Sequence, residues 1–248
     1  MTDKVVAIIQ ARMGSTRLPG KTLMDLAGEP VVDHVIRRAR RAKRIDDVML
    51  AIPALPDDDI LAEHLDILGQ RYIRGDAEDV LARYQQAAMA SEADVIVRIT
   101  ADCPLIDPRV IDRVIKAYME RPAVDYCSNT LRRTYPIGMD TEVFSREALE
   151  RAFDEATEPY EREHVTPYIY QHPKKFRLRN VEAPEESRRP EYRLTVDEQV
   201  DLEVIRELAS RLGAHAGLEC YVRELDSDPV LLERNLGVAH RYVSKPKL

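Results

Sequence analysis

The first half of the chain alternates between short apolar, β-branched runs and amphipathic stretches of helical period. The apolar runs predict strands at 4–10, 47–52, near 71–73, 94–99 and 123–127. The amphipathic stretches predict helices over 31–43, 57–68, 78–90 and 108–120. Strands that alternate with helices in this way form parallel βαβ units. We therefore expect a three-layer α/β fold built on a mostly parallel sheet.

After about residue 130 the alternation loosens. The sequence predicts a turn at 135–138, strands at 141–144, 176–182 and 192–196, and helices near 146–156, 160–171 and 198–211. We interpret residues from about 130 to 192 as an insertion that covers the sheet, and residues 213–248 as a helical C-terminal tail. With 248 residues and 44% hydrophobic content, the chain can bury one sizeable core, so we expect a single domain over residues 1–248.

Charge and composition argue against several kinds of function. A formal net charge of −7 does not suit general nucleic-acid binding, which needs a basic surface. The basic run over 37–44 belongs to the predicted helix 31–43, whose apolar residues leave most of these cations on a solvated face. Three cysteines without a CxxC spacing predict neither a disulfide framework nor a zinc site. No run is long enough to cross a membrane and the N-terminus is not signal-like, so we expect a cytoplasmic protein.

A loop rich in cations follows the first predicted strand. Arg12, Arg17 and Lys21 surround Gly14 and Ser15 within the ten residues 12–21, shortly after the strand end. Backbone N–H groups of a glycine turn, together with guanidinium and ammonium groups, neutralise phosphate oxygens. Neither GxxxxGK[ST] nor GxGxxG is present, so the loop is a phosphate cradle of another kind. The alternative is a solvated basic turn.

Two strand-like runs each end in an aspartate. Arg98–Asp102 and Arg193–Asp197 share the pattern Arg-x-Thr-x-Asp. Ligands of open α/β sheets lie beyond the carboxyl ends of the strands, where the phosphate loop also belongs. A magnesium–triphosphate complex is typically held by one or two carboxylates, the phosphates and water. The sequence therefore predicts a Mg²⁺ site at Asp102 and Asp197, the alternative being that each carboxylate caps a neighbouring helix.

The loop sequence IIQARMGSTRLPGKTL resembles the N-terminal signature of the cytidylyltransferases that activate acidic sugars. Four later blocks resemble one branch of them, the spore coat polysaccharide biosynthesis protein F family, which is related to the CMP-sialic acid and CMP-Kdo synthetases. These blocks are RITADCPLIDP at 98–108, GMDTEVFS at 138–145, EHVTP at 163–167 and RLTVD at 193–197. The likeness covers roughly residues 4–200. Gln10 stands where the sialic acid and Kdo enzymes usually have proline, which leaves the identity of the sugar open.

The resemblance implies a Rossmann-like nucleotidyltransferase fold and a Mg²⁺-dependent reaction. In that reaction CMP passes from CTP to an acidic sugar, and pyrophosphate is released. The product would serve the synthesis of surface polysaccharide, such as that of a spore coat, or of another glycan. The resemblance implies that Asp102 is a metal ligand and that an acidic residue of a later block, here Asp197, completes the metal site. Arg12 and Lys21 join Asp102 as the expected catalytic residues, and the apolar tail and the resemblance together favour a homodimer.

We assign candidate binding residues to the two substrates. The nucleotide-binding candidates are Ala11, Arg12, Gly14, Ser15, Arg17, Lys21, Ala51, Arg74 and Arg98, of which Ala51 and Arg74 are placed to meet the base. The sugar-binding candidates, under the insertion, are Asp140, Glu142, Glu163 and His164. An acidic sugar needs a cation for its carboxylate, and the candidates are Arg132, Arg133, Arg188 and Arg189.

Three other functions stay open. The chain could use another nucleoside triphosphate, or it could use a sugar phosphate as acceptor. A phosphorylated acceptor would need an additional basic pocket. It could be a glycosyltransferase that uses a nucleotide-sugar, whose Asp-x-Asp motif the run 57–59 superficially supplies, although that run starts a predicted helix. It could be a non-catalytic nucleotide-binding module, but such a module would not need the metal carboxylates Asp102 and Asp197.

Overall fold

The computed structural model describes residues 3–213 and 215–239. Its strands are β1 (Val5–Gln10), β2 (Asp25–Leu26), β3 (Glu29–Pro30), β4 (Asp47–Pro53), β5 (Tyr72–Gly75), β6 (Val95–Thr100), β7 (Tyr126–Ser128), β8 (Glu142–Ser145) and β9 (Leu178–Asn180). Its α-helices are α1 (Val31–Arg40), α2 (Asp59–Ile67), α3 (Val80–Ser91), α4 (Pro108–Met119), α5 (Arg146–Glu155), α6 (Pro159–His164), α7 (Pro167–Gln171), α8 (Gln199–Leu212), α9 (Leu218–Ser227) and α10 (Pro229–Leu236). Residues 214 and 240–248 of the predicted helical tail lie outside the described residues.

Seven strands form one sheet in the order β5-β4-β1-β6-β8-β7-β9. β8 runs antiparallel to both of its neighbours, and the remaining pairs are parallel. The predicted α/β fold with a mostly parallel sheet is thus confirmed. In the centre, Gln10 at the end of β1 lies opposite Ala51 of β4 and Thr100 of β6. The loops that follow β1 and β6 therefore leave the sheet side by side.

Helices cover both faces of the sheet. Val6 and Ile8 of β1 are fully buried against Tyr84 and other residues of α3. Ala7 and Ile9 point to the opposite face and are buried with apolar residues of α1, α2 and α4. Since successive side chains of a strand alternate between faces, a continuous apolar run such as β1 requires cover on both sides. The result is the three-layer arrangement that the sequence predicts.

A third apolar cluster joins the C-terminal helices to the loops beyond the sheet. Ile205 of α8 and Tyr221 of α9 are fully buried in it with Leu105, which follows β6, and with Leu18 of the loop after β1. Helices α8 and α9 thus pack on the edge where the predicted ligand residues lie. Across residues 3–213 and 215–239, no helix has the length and apolar character needed to cross a bilayer.

Arg38 corrects the interpretation of the basic run in α1. Its side chain is 1% exposed and donates to the carbonyl oxygens of Ile106 (3.2 Å) and Ala216 (3.0 Å) and to the Tyr221 hydroxyl (2.8 Å). Arg41 is exposed as predicted, but Arg38 turns inward and ties α1 to α9. The prediction of a solvated face is wrong for Arg38 because three buried oxygens bind its guanidinium.

Two predicted elements of the second half differ in the structure. The predicted helix 160–171 is two short helices, because Val165 has a left-handed φ of 73° and Pro167 begins α7 without an N–H to continue α6. The predicted strand 192–196 is an extended segment with a single bridge between Arg193 and Ile137. β8 and β9 lie within the region interpreted as an insertion, and both extend the main sheet.

Asp107 caps two helices at once, which makes it a stability determinant. Its buried carboxylate accepts from the Arg109 N–H in α4 (2.8 Å) and from the Leu218 N–H in α9 (2.7 Å). Since each cap contributes about 1 kcal/mol, Asp107→Ala should lower the free energy of unfolding by about 2 kcal/mol. Ser145→Ala, which removes the single cap of α5 at Ala148 N–H, should cost about half as much. Urea denaturation of the two variants measures the difference, and equal losses would contradict the double role.

Candidate active site

The loop after β1 is closed by hydrogen bonds to its own backbone and to the next βα unit. The Gly20 N–H donates to Met13 O (3.1 Å), and the Thr22 hydroxyl donates to Arg12 O (2.7 Å). Gly20 has a φ of 73°, a conformation that glycine adopts without strain. The chain then enters a short 3-10 helix whose first residue is Lys21. The turn therefore carries Lys21 back over the end of the sheet.

Asp58 stabilises this loop through a hydrogen bond from the loop backbone. Its buried carboxylate accepts from the Met13 N–H at 2.7 Å. The run 57–59 lies where a 3-10 helix passes into α2, as predicted for a helix start. Its central carboxylate supports the loop backbone, which is not the arrangement of a metal-binding Asp-x-Asp.

Lys21 brings the two predicted metal ligands together. Its ammonium nitrogen Nζ lies 2.9 Å from Asp102 Oδ2 and 3.0 Å from Asp197 Oδ1, and also donates to Val196 O (2.6 Å). Arg17 forms a second ion pair with Asp197 Oδ1 at 2.9 Å. Two carboxylates that are 95 positions apart in the sequence thus meet at one cation. The arrangement sits at the carboxyl end of β6, where α/β sheets bind ligands.

The segment before Asp197 is held against the end of β6 by backbone contacts. The Val196 N–H (2.8 Å) and the Thr195 hydroxyl (2.9 Å) both donate to Asp102 O. Gly138, with a φ of 101°, packs so closely that a Cβ there would lie 2.3 Å from Leu194 O. The residue must be glycine for the segment to reach this position.

A buried network holds Asp197 from behind. Arg193, 2% exposed, donates to Asp197 Oδ2 (3.2 Å) and makes two bonds to Asp201 of α8 (3.0 and 3.1 Å). The side-chain amide of Asn235, on α10, donates to Asp201 Oδ1 at 3.0 Å. The alternative in which Asp197 caps α8 is not observed, because the capping box of α8 is made by Glu198 and Asp201.

The charges of the site keep the Asp102 carboxyl group and the Lys21 ammonium group ionised. Burial acts to raise the pKa of Asp102, but the Lys21 ammonium and the Thr100 hydroxyl lower it to about 2. Burial acts to lower the pKa of Lys21, and the two carboxylates more than offset this, so the pKa lies above its ordinary value. Burial lowers the pKa of His164 below its ordinary value, so its imidazole is neutral at neutral pH.

Nine of the predicted site residues line one cleft of ≈ 260 Å³. They are Ala11, Arg12, Ser15, Arg17, Lys21, Asp102, Glu163, His164 and Asp197. The loop, the end of β6, the segment before α8 and the end of α6 therefore converge, as the sequence interpretation requires. Glu163 and His164, at the end of α6, also line this cleft.

Six predicted residues lie outside the walls of the cleft: Gly14, Ala51, Arg74, Arg98, Asp140 and Glu142. Arg74 donates to Leu55 O (2.8 Å) and pairs with Asp59 (2.7 Å). Arg74 thus contacts the start of α2, and its expected contact with a base stays a prediction. Ala51 is buried in the sheet, where it pairs with Gln10.

Arg98 and Glu142 pair with each other below the floor of the cleft. The Glu142 carboxylate accepts from Arg98, from the Tyr126 hydroxyl (2.5 Å) and from the Thr166 hydroxyl (2.5 Å). Arg98 also donates from Nε to the Gln10 side chain at 3.2 Å. The expectation that Arg98 contacts nucleotide and Glu142 contacts sugar is replaced by a structural role, since this buried pair joins β6, β8 and α7.

The candidate cations for a sugar carboxylate are all engaged in ion pairs. Both terminal nitrogens of Arg133 donate to the Asp140 carboxylate (2.7 and 2.6 Å), so this carboxylate is paired within the protein and not placed for the expected contact with a sugar. Arg132 and Arg188 both pair with Glu182, and Arg189 pairs with Asp226 at 2.7 Å. Any acidic sugar must therefore use a cation of the cleft or open one of these pairs.

Seven residues that line the cleft are not among the predicted site residues, and two of them, Thr100 and Arg83, bear on its chemistry. Thr100 donates from its hydroxyl to Asp102 Oδ1 at 2.6 Å and orients that carboxylate. Arg83 of α3 is buried and also lines the cleft. A usable signal exists for Arg83, because Val80, Arg83, Tyr84 and Ala87 recur at helical spacing, and a cation on an apolar helix face is unusual.

A cation-rich loop facing two carboxylates at the carboxyl edge of a mostly parallel sheet defines a nucleotide-binding α/β protein. Residues 6–226 match the protein family described as cytidylyltransferase. SpsF, a spore coat polysaccharide biosynthesis protein of Bacillus subtilis strain 168, is 38% identical over 216 residues, covering 85% of this chain and 88% of that protein. The chain belongs to the cytidylyltransferase family, and it is a nucleotidyltransferase.

Two further relatives agree with this assignment. A 3-deoxy-manno-octulosonate cytidylyltransferase of Anaeromyxobacter dehalogenans strain 2CP-1 is 34% identical over 179 residues, which are 67% of this chain and 73% of that protein. The solved structure of a cytidylyltransferase from Leptospira borgpetersenii serovar Hardjo-bovis has a TM-score of 0.88 and 32% sequence identity, covering 96% of this chain and 100% of that one. The nucleotidyltransferase fold implied by the sequence resemblance is thereby confirmed.

Proposed function

We propose that this enzyme transfers CMP from CTP to a hydroxyl group of a sugar and releases pyrophosphate, with Mg²⁺ as its cofactor. The observation that carries the proposal is the Lys21 ammonium shared by Asp102 and Asp197 in a cleft lined by Arg12 and Arg17. We further propose an acidic sugar and a role in surface polysaccharide synthesis. The relatives named for 3-deoxy-manno-octulosonate and for spore coat polysaccharide support this part. The homodimer and the cytoplasmic location remain predictions.

The residues present fit a magnesium ion. The Lys21 ammonium lies between one carboxylate oxygen of Asp102 and one of Asp197, so these two carboxylates together already bind a cation. Among the described residues, no group of three or more His, Cys, Asp and Glu side chains could hold a metal by itself. Two carboxylates, Asp102 and Asp197, suit a cation that takes its other ligands from phosphates and water. When bound, Mg²⁺ would neutralise phosphate charge and polarise the α-phosphorus.

The protein's own groups account for positioning and charge. A sugar oxygen would form a bond to the α-phosphorus while the bond from that phosphorus to the bridging oxygen of pyrophosphate breaks, and the hydroxyl proton passes to water. Arg12, Arg17 and Lys21 would bind the leaving pyrophosphate, whose charge they neutralise. Glu163 and the neutral His164 line the same cleft, where they would bind sugar hydroxyls.

Calorimetry with CTP, UTP, ATP, GTP and dTTP, each with Mg²⁺ and with EDTA, tests the nucleotide. Selective and Mg²⁺-dependent binding of CTP is the expected result. Pyrophosphate release from CTP on addition of a series of acidic, neutral and phosphorylated sugars then identifies the acceptor class. Binding of nucleotide-sugars in place of any triphosphate would overturn the proposal in favour of a glycosyltransferase.

Lys21→Ala should weaken CTP binding in the presence of Mg²⁺ at least tenfold, because a charged hydrogen bond to phosphate contributes about 1.5–3 kcal/mol. Titration calorimetry measures the change. Lys4→Ala, at a partly buried lysine outside the cleft, is the matched control and should leave the affinity unchanged. Equal affinities of the Lys21 variant and the control would show that Lys21 does not contact the nucleotide.

A further inference from the structure

Arg83 is a buried cation to which the proposed reaction assigns no role. It is 2% exposed, yet its side chain lines the cleft beside Gln10, Ala11 and Val80. Burial lowers the pKa of Arg83, which reflects the cost of removing a guanidinium from water. Within the part of the chain that the structure describes, no carboxylate forms a salt bridge with it. Arg38 is also buried, but it does not line the cleft, whereas a buried cation in a cleft is a candidate for binding a ligand there.

One edge of the Arg83 guanidinium is bonded and the other is not. Nη1 donates to Asp76 O and to Ala77 O (3.0 Å), both in the loop between β5 and α3. Nε is buried and has no hydrogen-bond partner, and Nη2 donates to none of the described groups. Nε–H and Nη2–H point in parallel from one edge of a planar group. The free edge is therefore a fork of two donors on a side chain that lines the cleft.

The fold makes room for this side chain at the end of β5. Gly75 lies against Arg83, and a Cβ at Gly75 would stand 2.9 Å from Arg83 Cγ and 2.8 Å from Gln86 Oε1. The two carbonyl oxygens that hold Nη1 then fix the rotation of the guanidinium. The fork is thus set in place before any ligand binds, which lowers the entropic cost of using it.

The chemistry of the fork selects among bases. Two parallel N–H donors match two adjacent acceptors in one plane, as when arginine binds O6 and N7 of guanine. Cytosine presents such a pair in O2 and N3. Uracil carries a hydrogen on N3, so its N–H would face the N–H of the arginine and leave both unpaired, which is costly in a buried site.

We propose that Arg83 reads the base of the nucleotide, binding O2 and N3 of cytosine and rejecting uracil. This inference rests on the proposed function, since it takes a cytidine nucleotide as the ligand. The cation cluster of Arg12, Arg17 and Lys21 then holds the phosphates, and Arg83 holds the base, within the same cleft. A phosphate contact is the competing role for Arg83, because Arg12 lies close enough to contribute to the lowered pKa of Arg83.

Binding measurements on four proteins separate these roles: the native chain, Arg83→Gln, Arg83→Lys and the control Arg44→Gln, at an exposed arginine outside the cleft. Titration calorimetry with CTP, UTP and pyrophosphate, each with Mg²⁺, gives the affinities. Arg83→Gln should lower the ratio of CTP to UTP affinity roughly tenfold or more, because a bidentate contact contributes about 1–3 kcal/mol of discrimination. Arg83→Lys keeps the charge without the fork and should also lose selectivity. Pyrophosphate affinity should be unchanged in every variant.

The native protein supplies a second test that does not depend on how the variants fold. The triphosphate of the pyrimidin-2-one ribonucleoside keeps O2 and N3 but lacks the 4-amino group, and it should bind within a few-fold of CTP. The triphosphate of 3-methylcytidine, whose N3 is blocked, should bind at least tenfold more weakly.

The outcomes are distinct. An unchanged ratio of CTP to UTP affinity in Arg83→Gln, or tight binding of the 3-methyl analogue, would overturn the base-reading role while leaving the proposed function standing. A loss of pyrophosphate affinity equal to the loss of CTP affinity would assign Arg83 to the phosphates instead. Failure of the native protein to bind CTP would overturn the proposed function itself.

Discussion

Replacing Asp102 by asparagine should lower turnover about a thousandfold while the protein stays folded. The carboxylate receives the Lys21 ammonium at 2.9 Å and the Thr100 hydroxyl at 2.6 Å. An amide keeps the shape but removes the negative charge that the proposed metal ion and the lysine both require. Pyrophosphate release from CTP and sugar measures turnover, and thermal unfolding reports on the fold.

Asp57→Asn is the matched control for this prediction, because Asp57 is exposed and lies outside the cleft. The control should retain native turnover. Titration with Mg²⁺ supplies a further readout, since the Asp102 variant should need a higher concentration for half of its residual activity. Near-native pyrophosphate release from Asp102→Asn would remove the metal-site assignment, whatever the stability of the variant.

Gly138→Ala should destabilise the protein by about 3 kcal/mol or more and abolish activity in whatever folded protein remains. A Cβ at Gly138 would lie 2.3 Å from Leu194 O and 2.5 Å from Leu194 C, and neither backbone atom can rotate away. The φ of 101° adds strain for any residue with a side chain. The segment that carries Asp197 would have to leave its place beside Asp102.

Gly237→Ala tests whether this loss is specific to position 138. Gly237 has a φ of −80°, and a Cβ there would have no atom within 4 Å. Alanine should therefore be tolerated or slightly stabilising, by up to about 1 kcal/mol. Denaturant unfolding of both variants gives the comparison. A Gly138 variant as stable as the Gly237 variant would contradict the close packing of the segment before Asp197.

The sequence was sufficient for the sheet and for the position of the cation-rich loop at its edge, because both depend on local signals. The apolar run at 4–10 became β1 over Val5–Gln10, and the helix predicted over 31–43 became α1 over Val31–Arg40. The predicted pairing of Asp102 with Asp197 across the fold was likewise found, joined by Lys21. A cation loop and two strand-terminal aspartates need only the rule that parallel strands end at a common edge.

The errors fell where tertiary contacts override local pattern. Arg98 and Glu142 sit in motifs of the nucleotide and sugar blocks, yet they neutralise each other because β6 and β8 are neighbours, and this pairing of strands has no local signal. Arg74 is a candidate for the base because it ends a predicted strand, whereas Arg83 lies within a predicted helix and is not among the candidates. Only the helical face shared with Tyr84 marks Arg83 as buried.

The network that holds Asp197 ties the site to the order in which the chain is made. Asp197 depends on Arg193 and Asp201, and Asp201 in turn accepts from Asn235 on α10. During synthesis, N-terminal parts of a protein fold first, at about 5–20 residues per second. All seven strands of the sheet, the last of which is β9 (Leu178–Asn180), are therefore synthesised before the residues that support Asp197. A chain that ends before α10 would lack the Asn235 amide that binds Asp201, and the support of Asp197 would be incomplete.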